Sequence, residues 1–384
     1  MTNEESLETA TSARTSVLVG GSAFFERLEQ DILGARDSVC VQTLSFEGDR
    51  AGLGLAEALI ASPAKHKRVV ADAVTKRIIN DRWLWTRSAR RDEDLQAEVR
   101  ATHAMFDRLE RNDVPIRFAW PIGHRYHRLI VRNHKKLIAI DDHIAYLGGI
   151  NFSDHNFAWH DFMVRIESPG VTAFLRDDFD HTWEGRDQSV SAVVNGDELI
   201  IGDGRDNRGM REAVAHVIDE ARDRIILQCP YVSEPFWRLL GKAHRRGVHV
   251  TIVMSEHHNR GIMKWGTLNA ARRHGFEFRL LPGPMTHAKA MLVDDAVILG
   301  SANFDFTSYW HQPEIVLICR QPDLVREVST RVLTPDLARS VAVNSHTERL
   351  WRQRVAGIGM AISERLLFLV RERRPSPIPP ASNH

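Results

Sequence analysis

The chain has 384 residues, 43% of them hydrophobic and 26% charged, which suits two ordinary domains with a large core and excludes a disordered or fibrous chain. Its 51 basic and 50 acidic residues leave a formal net charge of +1, so whole-molecule attraction to nucleic acid is excluded and any basic surface must be regional. Cys40, Cys229 and Cys319 form no metal-ligand spacing and leave one over in any disulfide scheme, so a reducing compartment is expected.

In chain order, Met1 to Thr15 is polar and acidic with no apolar segment, and neither a secretory signal nor an amino-terminal anchor is expected. Phe24, Leu28 and Ile32 share one helical face, Ala35 to Gln42 reads as a helix end entering a strand, and a second helix over Leu53 to Ile60 leads into an apolar strand from Arg68 to Ala71. That β-α-β pattern recurs. Ala35-Arg36-Asp37 and Gln42 reappear as Ala221-Arg222-Asp223 and Gln228 at an offset of 186, with a helix before (Met210, Val214, Ile218) and a helix and strand after (Phe236 to His244, Val248 to Met254).

Two stretches, His134 to Asp141 and His287 to Asp294, read H-x-K-x4-D at an offset of only 153, so the first half carries 33 extra residues, placed within roughly 73–108. Each motif has the pattern of a hairpin: Leu137 to Ile140 turning back into Ile144 to Leu147, and Met291 to Val293 turning back into Ala296 to Leu299. The extra segment holds Trp83-Leu84-Trp85 among Arg77, Arg82, Arg87, Arg90 and Arg91, which suits an interfacial lid, a packed excursion or a single-strand nucleic-acid surface. His124 to Arg128 precedes the first motif and offers His127 and Arg128 as groups for a head-group phosphate. From Glu348 to Arg374, apolar residues fall near helical spacing beside seven arginines and three glutamates; this helix could lie on an anionic membrane or pack on the body with a solvated arginine face. Pro375 to Pro380 ends it in a tail expected to be disordered. No transmembrane helix is predicted.

Chance placement of this chain's histidines, its eight lysines and its aspartates gives roughly 0.03 matches to H-x-K-x4-D. A lone histidine on a strand is more often structural than catalytic, but here the neighbours recur too. Asp161 and Glu314 each follow their histidine by 27 residues, and Asn151 and Asn303 follow by 17 and 16. Core histidines have no reason to carry a lysine, an asparagine and a carboxylate with them twice.

With Gly148-Gly149-Ile150-Asn151 and Gly300-Ser301-Ala302-Asn303 after the two motifs, residues 16–335 resemble the phospholipase D superfamily. The resemblance implies an α/β chain of two pseudo-symmetric α/β/α halves with mixed sheets, 16–188 and 189–335, sharing one active site at their interface, and a carboxy-terminal segment over 336–384. It implies a phosphohistidine intermediate on His134, with His287 as acid and base, and no cofactor or metal. Asp161 and Glu314 are expected to orient each its own histidine. Lys136, Lys289, Asn151 and Asn303 are expected to hold phosphoryl oxygens. Asp141 and Asp294 complete the motifs, but they sit at the hairpin turns, where a structural role is favoured over direct chemistry. Ser153, Ser301 and Asp305 extend the motifs as substrate-binding candidates. Thr43 to Asp49, with Gly52 and the run over 55–59, looks like the opening of bacterial cardiolipin synthases, as do Asn303 to Asp305, Ser308 and Glu314. Phe306-Thr307 departs from them, where a basic residue usually stands. The expectation is therefore phosphatidyl transfer between phospholipids by a protein peripheral on the cytoplasmic face of the cell membrane. A hydrolytic phospholipase D, a nucleic-acid phosphodiesterase and an inactive lipid-binding scaffold are the alternatives. The oligomeric state is left open.

Overall fold

The computed structural model describes residues 13–122, 131–343 and 350–371. The first half runs β1 (Arg14–Val19), α1 (Gly21–Gly34), β2 (Ser38–Thr43), α2 (Arg50–Ala61), β3 (His66–Asp72), β4 (Ile78–Ile79), β5 (Arg82–Trp83), α3 (Arg87–Arg91), α4 (Glu93–Arg111), β6 (Ile116–Ala119), β7 (Leu137–Ile140), β8 (Ile144–Gly148), α5 (Asp154–Ala158), β9 (Phe162–Glu167) and α6 (Pro169–Trp183). The second half runs β10 (Val190–Val194), β11 (Asp197–Asp203), α7 (Arg208–Glu220), β12 (Arg224–Gln228), α8 (Phe236–Arg245), β13 (His249–Ser255), α9 (Gly261–His274), β14 (Glu277–Leu281), β15 (Ala290–Val293), β16 (Ala296–Gly300), α10 (Phe306–His311), β17 (Pro313–Cys319), α11 (Pro322–Val328), α12 (Thr334–Arg339) and β18 (Val341–Ala342), with α13 (Leu350–Arg371) after it.

The amphipathic patterns become these elements because each apolar stripe has a sheet to cover. Helix α1 buries Phe24, Leu28 and Ile32, one per turn, and α7 does the same with Met210, Val214 and Ile218. Both sheets are mixed. The first has the order β1-β9-β8-β7-β2-β3-β6 and the second β10-β11-β17-β16-β15-β12-β13-β14-β18. Seven strands correspond across the halves, with β2 and β12 each parallel to the strand after its crossover helix and antiparallel to the motif strand, β7 or β15. One apolar cluster draws on both halves: Leu137, Phe162, Val164 and Phe179 from the first pack with Ile201, Ala290, Leu299 and Leu317 from the second. The interface between the halves is thus part of a continuous buried core.

The extra residues of the first half do not lie in one block. Val69 pairs with Ile116 and Ile252 with Phe278, so the step between these neighbouring strands is 47 positions in the first half against 26 in the second (116 − 69 and 278 − 252). The longer step holds the β4–β5 hairpin and α3, while α4 matches α9 as the ordinary crossover helix. Further extra residues fall between Ala119 and the first motif, a span that includes the undescribed residues 123–130. A single net offset could not show that division. The excursion has its own small core of Ile79, Ala89 and Leu95, and Trp83 stacks on Trp85 at 4.3 Å between ring centroids. It is a packed excursion. All three cysteines are buried and free. The Pro-rich tail, expected to be disordered, lies outside the described residues.

Candidate active site

The sequence places its two motifs at matching positions in two matching sheets, and the fold brings them together. His134 and Lys136 lie in the extended segment entering β7, and His287 and Lys289 in the segment entering β15. All four are at least nine-tenths buried. A repeated glutamine fixes each entry: Gln42 Nε2 donates to Asn133 Oδ1 at 3.0 Å and Gln228 Nε2 to Thr286 Oγ1 at 2.9 Å, each partner being the residue before the histidine. The repeat of Gln was visible in the sequence, but its role was not.

The carboxylate pairing differs from the expectation. His134 Nδ1 lies 2.9 and 3.1 Å from the two oxygens of Glu314, and His287 Nδ1 lies 2.7 Å from Asp161 Oδ2. Each histidine is therefore oriented by the carboxylate of the other half. The backbone explains the exchange: His134 N–H donates to the carbonyl of Pro313 at 3.0 Å, and His287 N–H to the carbonyl of His160 at 2.8 Å. Pro313 and His160 immediately precede Glu314 and Asp161, so each motif adds itself to the strand bearing the partner carboxylate. The equal spacing of 27 residues could not distinguish this from pairing within a half.

Neighbouring residues shape the two carboxylates. Ser301 donates its hydroxyl to Glu314 Oε2 and accepts from Ile315 N–H at 3.0 Å, so it positions that carboxylate. At the equivalent Gly149, a Cβ would come within 2.4 Å of Asp161 Oδ2, which is why only glycine fits there. Ser153 and Asp305 open the short helices after their motifs: Ser153 Oγ accepts from Asn156 Nδ2 at 2.6 Å, and Asp305 Oδ1 from Ser308 N–H at 2.8 Å. Burial pushes the Asp305 carboxyl up to about 6. Asn151 Oδ1 lies 3.4 Å from Thr43 Oγ1, and Asn303 Oδ1 lies 3.8 Å from Cys229 Sγ. Trp159, absent from the sequence candidates, packs its ring 5.0 Å from that of His287. His127 and Arg128 lie outside the described residues.

Asp141 and Asp294 are not in the site. Seven extended residues from its histidine, or roughly 20 Å along the chain, each carboxylate accepts the backbone N–H groups of three residues: 36–38 for Asp141 and 222–224 for Asp294. The repeated Ala-Arg-Asp segment is thereby tied to the end of the motif. Partial burial opposes ionisation, but these donors hold the Asp141 and Asp294 carboxyls below the ordinary value of 3.8. Asp141→Ala and Asp294→Ala are expected to cost about 1–2 kcal/mol of stability each, measured by denaturant unfolding at pH 7. The loss should shrink as pH falls below 3.8, because a carboxyl with a depressed folded-state pKa stabilises only while ionised.

Electrostatics set the site's resting state. Burial lowers the pKa of His134 and takes that of His287 down to about 3, helped in the second case by the Lys289 ammonium. Each lysine Nζ donates to the carbonyl of its own histidine, Lys136 at 2.8 Å and Lys289 at 2.7 Å, and Lys289 Nζ also lies against the His287 ring, 3.0 Å from Nδ1 and 3.1 Å from Nε2. Burial also brings Lys136 down to about 7. The lysine between them in sequence, Lys135, acts structurally. Its ammonium is fully buried against Asp178 at 2.8 and 2.9 Å and Thr182 at 2.8 Å, tying the motif to α6. The corresponding residue in the second motif is Ala288.

Among the described residues, Glu47, Asp49 and Glu98 form a three-carboxylate cluster in which burial raises the Glu47 carboxyl to about 9. Glu47 Oε2 accepts from Asn80 N–H at 2.9 Å, which opposes that rise, and lies 3.8 Å from His155 Nδ1.

A profile of the family described as "Cardiolipin synthase, PLD-like domain" matches residues 28–183 and 214–333. The chain belongs to that family. It is 26% identical to a cardiolipin synthase of Oceanobacillus iheyensis over 93% of this chain and 74% of that protein, and 28% identical to cardiolipin synthase A of Erwinia tasmaniensis over 63% of this chain. It spans about half the length of the latter, 54%. Among solved structures, phosphatidylserine synthase of Haemophilus influenzae superposes with a TM-score of 0.69 over 92% of this chain and 94% of that one, at 14% identity, which shows the two-half fold. Polyphosphate kinase of Porphyromonas gingivalis has the same fold over 92% of this chain and 53% of its own, with a TM-score of 0.57 at 13% identity.

Proposed function

We propose that the protein is a phosphatidyltransferase of the cardiolipin synthase kind, moving a phosphatidyl group from a donor phospholipid such as phosphatidylglycerol to the hydroxyl of an alcohol or second phospholipid. The observation that carries this reading is the pair of buried imidazoles, each held through Nδ1 by a carboxylate of the opposite half and each accompanied by a buried lysine. With Nδ1–H bound to Glu314, His134 presents its Nε2 lone pair for attack on phosphorus. His287, which the Lys289 ammonium over its ring keeps unprotonated in the free protein, takes the proton-carrying role once a bound phosphate draws that lysine away.

In the first step the His134 Nε2–P bond forms, the P–O bond to the leaving glycerol breaks, and His287 gives its Nε2 proton to that oxygen. In the second, His287 takes the proton of the acceptor hydroxyl as its oxygen attacks phosphorus and the P–N bond breaks. Lys136, Lys289, Asn151 and Asn303 stabilise the charge gathering on the phosphoryl oxygens. An anionic phosphate entering between the lysines draws Lys289 off the imidazole and favours protonation of His287. The cycle closes with side chains alone.

Incubation of the full chain with phosphatidylglycerol vesicles should give cardiolipin and free glycerol in equal amounts. Phosphatidic acid without cardiolipin would replace this reading with hydrolysis, and cleavage of single-stranded DNA in EDTA at a higher rate than lipid turnover would replace it with nucleic-acid chemistry. This reading places the protein peripherally on the cytoplasmic face of the membrane; among the described residues no helix is long and apolar enough to cross one.

Anion binding should be accompanied by proton uptake. Lys136 is mostly neutral at pH 8 in the free protein and fully charged beside an anion, so uptake should approach one proton at pH 8 and fade by pH 6. Titration calorimetry with sulfate, which does not itself titrate in this range, checks it in buffers of different ionisation heat, and Lys136→Met should remove the share present at pH 8 that fades by pH 6, leaving only what His287 takes up.

A further inference from the structure

Helix α13 is apolar on two opposite sides. Gln353, Ala356 and Met360 face the body, where Met360 joins the second-half core beside Gly266 and Trp237. On the other side Trp351, Val355, Ile358, Ile362 and Leu366 form a stripe at steps of four, three, four and four, each between 54% and 65% exposed. Of the twelve large apolar side chains exposed among the described residues, six lie on this helix, and a seventh, Ile262, sits against it at Gly359. A monomeric soluble surface rarely leaves such a stripe bare.

Two further observations say what covers it. Exposed Arg354 and Arg365 lie on the same helix, and Arg352 lies 5.3 Å from the Trp351 ring, so the ridge carries positive charge beside its apolar side chains. Between α9 and α13 runs a groove of about 440 Å³, within the size range of ligand pockets. Its walls are apolar where Met263, Met360 and Leu366 line it. They become polar at Tyr231, Arg260, Asp305 and Glu364, whose carboxyl burial raises to about 7, and Asp305 lies within electrostatic reach of Lys289 and Glu314. Phe306 and Thr307, the departure from the usual cardiolipin synthase sequence, stand in the groove wall.

We infer that α13 is a ridge that seats the protein on an anionic phospholipid surface, and that the α9–α13 groove admits an acyl chain of the substrate lipid while its head group reaches the two histidines. A packed amphipathic helix with arginines and an interfacial tryptophan suits the boundary between head groups and acyl chains. The groove passes from apolar walls at Met263, Met360 and Leu366 to polar ones at Tyr231, Arg260 and Asp305, the order in which an acyl chain and then its head group would be held. This inference rests on the lipid reading above and adds to it the docking element and the chain-binding subsite.

The test uses the full chain and the variants Trp351→Glu/Ile358→Glu and Thr307→Trp, each first shown to unfold at the parent's temperature. Vesicles of phosphatidylglycerol and phosphatidylcholine serve for flotation and turnover, and dihexanoyl phosphatidylglycerol below its micellar concentration serves as the soluble substrate. The parent should float with the vesicles. The double variant should lose at least tenfold in flotation and vesicle turnover and keep short-chain turnover within threefold. Thr307→Trp should raise KM at least fivefold for the long-chain lipid relative to the short-chain one. Unchanged flotation and vesicle turnover in the double variant would overturn the docking ridge, as would sedimentation showing a parent dimer that the double variant splits. Equal KM changes for both lipids in Thr307→Trp would overturn the groove. Absence of turnover of either lipid by the parent would instead sink the lipid reading itself.

Discussion

His134→Ala and His287→Ala are each expected to lower phosphatidyl transfer by about 10³-fold or more, with little change in folding. The size follows from the roles: loss of a nucleophile removes the covalent route, and loss of a positioned acid and base removes a contribution of about 10²–10⁴. The two losses should not add. A one-site mechanism fails at whichever step lacks its imidazole, so the double variant should be no worse than the more damaged single one. Acid quench of the parent during turnover should trap phosphate on His134, read by mass spectrometry of the peptide carrying it. Phosphate on His287 would reverse the two roles, and either single variant retaining full activity would refute the shared site.

Much of this was legible because the chain repeats itself. The two H-x-K-x4-D stretches, the trailing Asn151 and Asn303, and the Ala-Arg-Asp and Gln echoes are local patterns, and local patterns survive in a sequence. The structure shows that these echoes belong together: Asp141 and Asp294 hold the backbone of the Ala-Arg-Asp segments, and Gln42 and Gln228 hold the residue before each histidine. Three features were not legible, each for a physical reason. Which carboxylate serves which histidine depends on strand addition between halves, and a spacing of 27 residues is the same for either pairing. The division of the extra residues depends on strand register, which a net offset sums away. The apolar residues of α13 are visible as a pattern, but a pattern cannot say which of two stripes meets the body and which is left bare.

The crossed pairing makes the second prediction sharp, because it assigns each carboxylate a target in the opposite half. Glu314→Gln and Asp161→Asn keep the shape of the side chain and its hydrogen-bonding capacity, but remove the charge that fixes the tautomer and favours the imidazolium. Each should lower turnover by about 10²-fold, the upper end of what loss of an orienting partner costs. The discriminating readout is nitrogen-15 NMR of the histidine rings. Glu314→Gln should shift the His134 resonances toward a mixture of tautomers and leave His287 unchanged, while Asp161→Asn should do the converse. Ser301→Ala tests the same chain of contacts one step further out: it removes the hydroxyl that holds Glu314, so it should move His134 in the direction of Glu314→Gln and by a smaller amount. Perturbation of His287 by Glu314→Gln, with His134 unmoved, would refute the crossed arrangement. If it holds, neither half alone has an oriented histidine. Each motif borrows its carboxylate from the other, so the two halves must dock before either imidazole is set for chemistry.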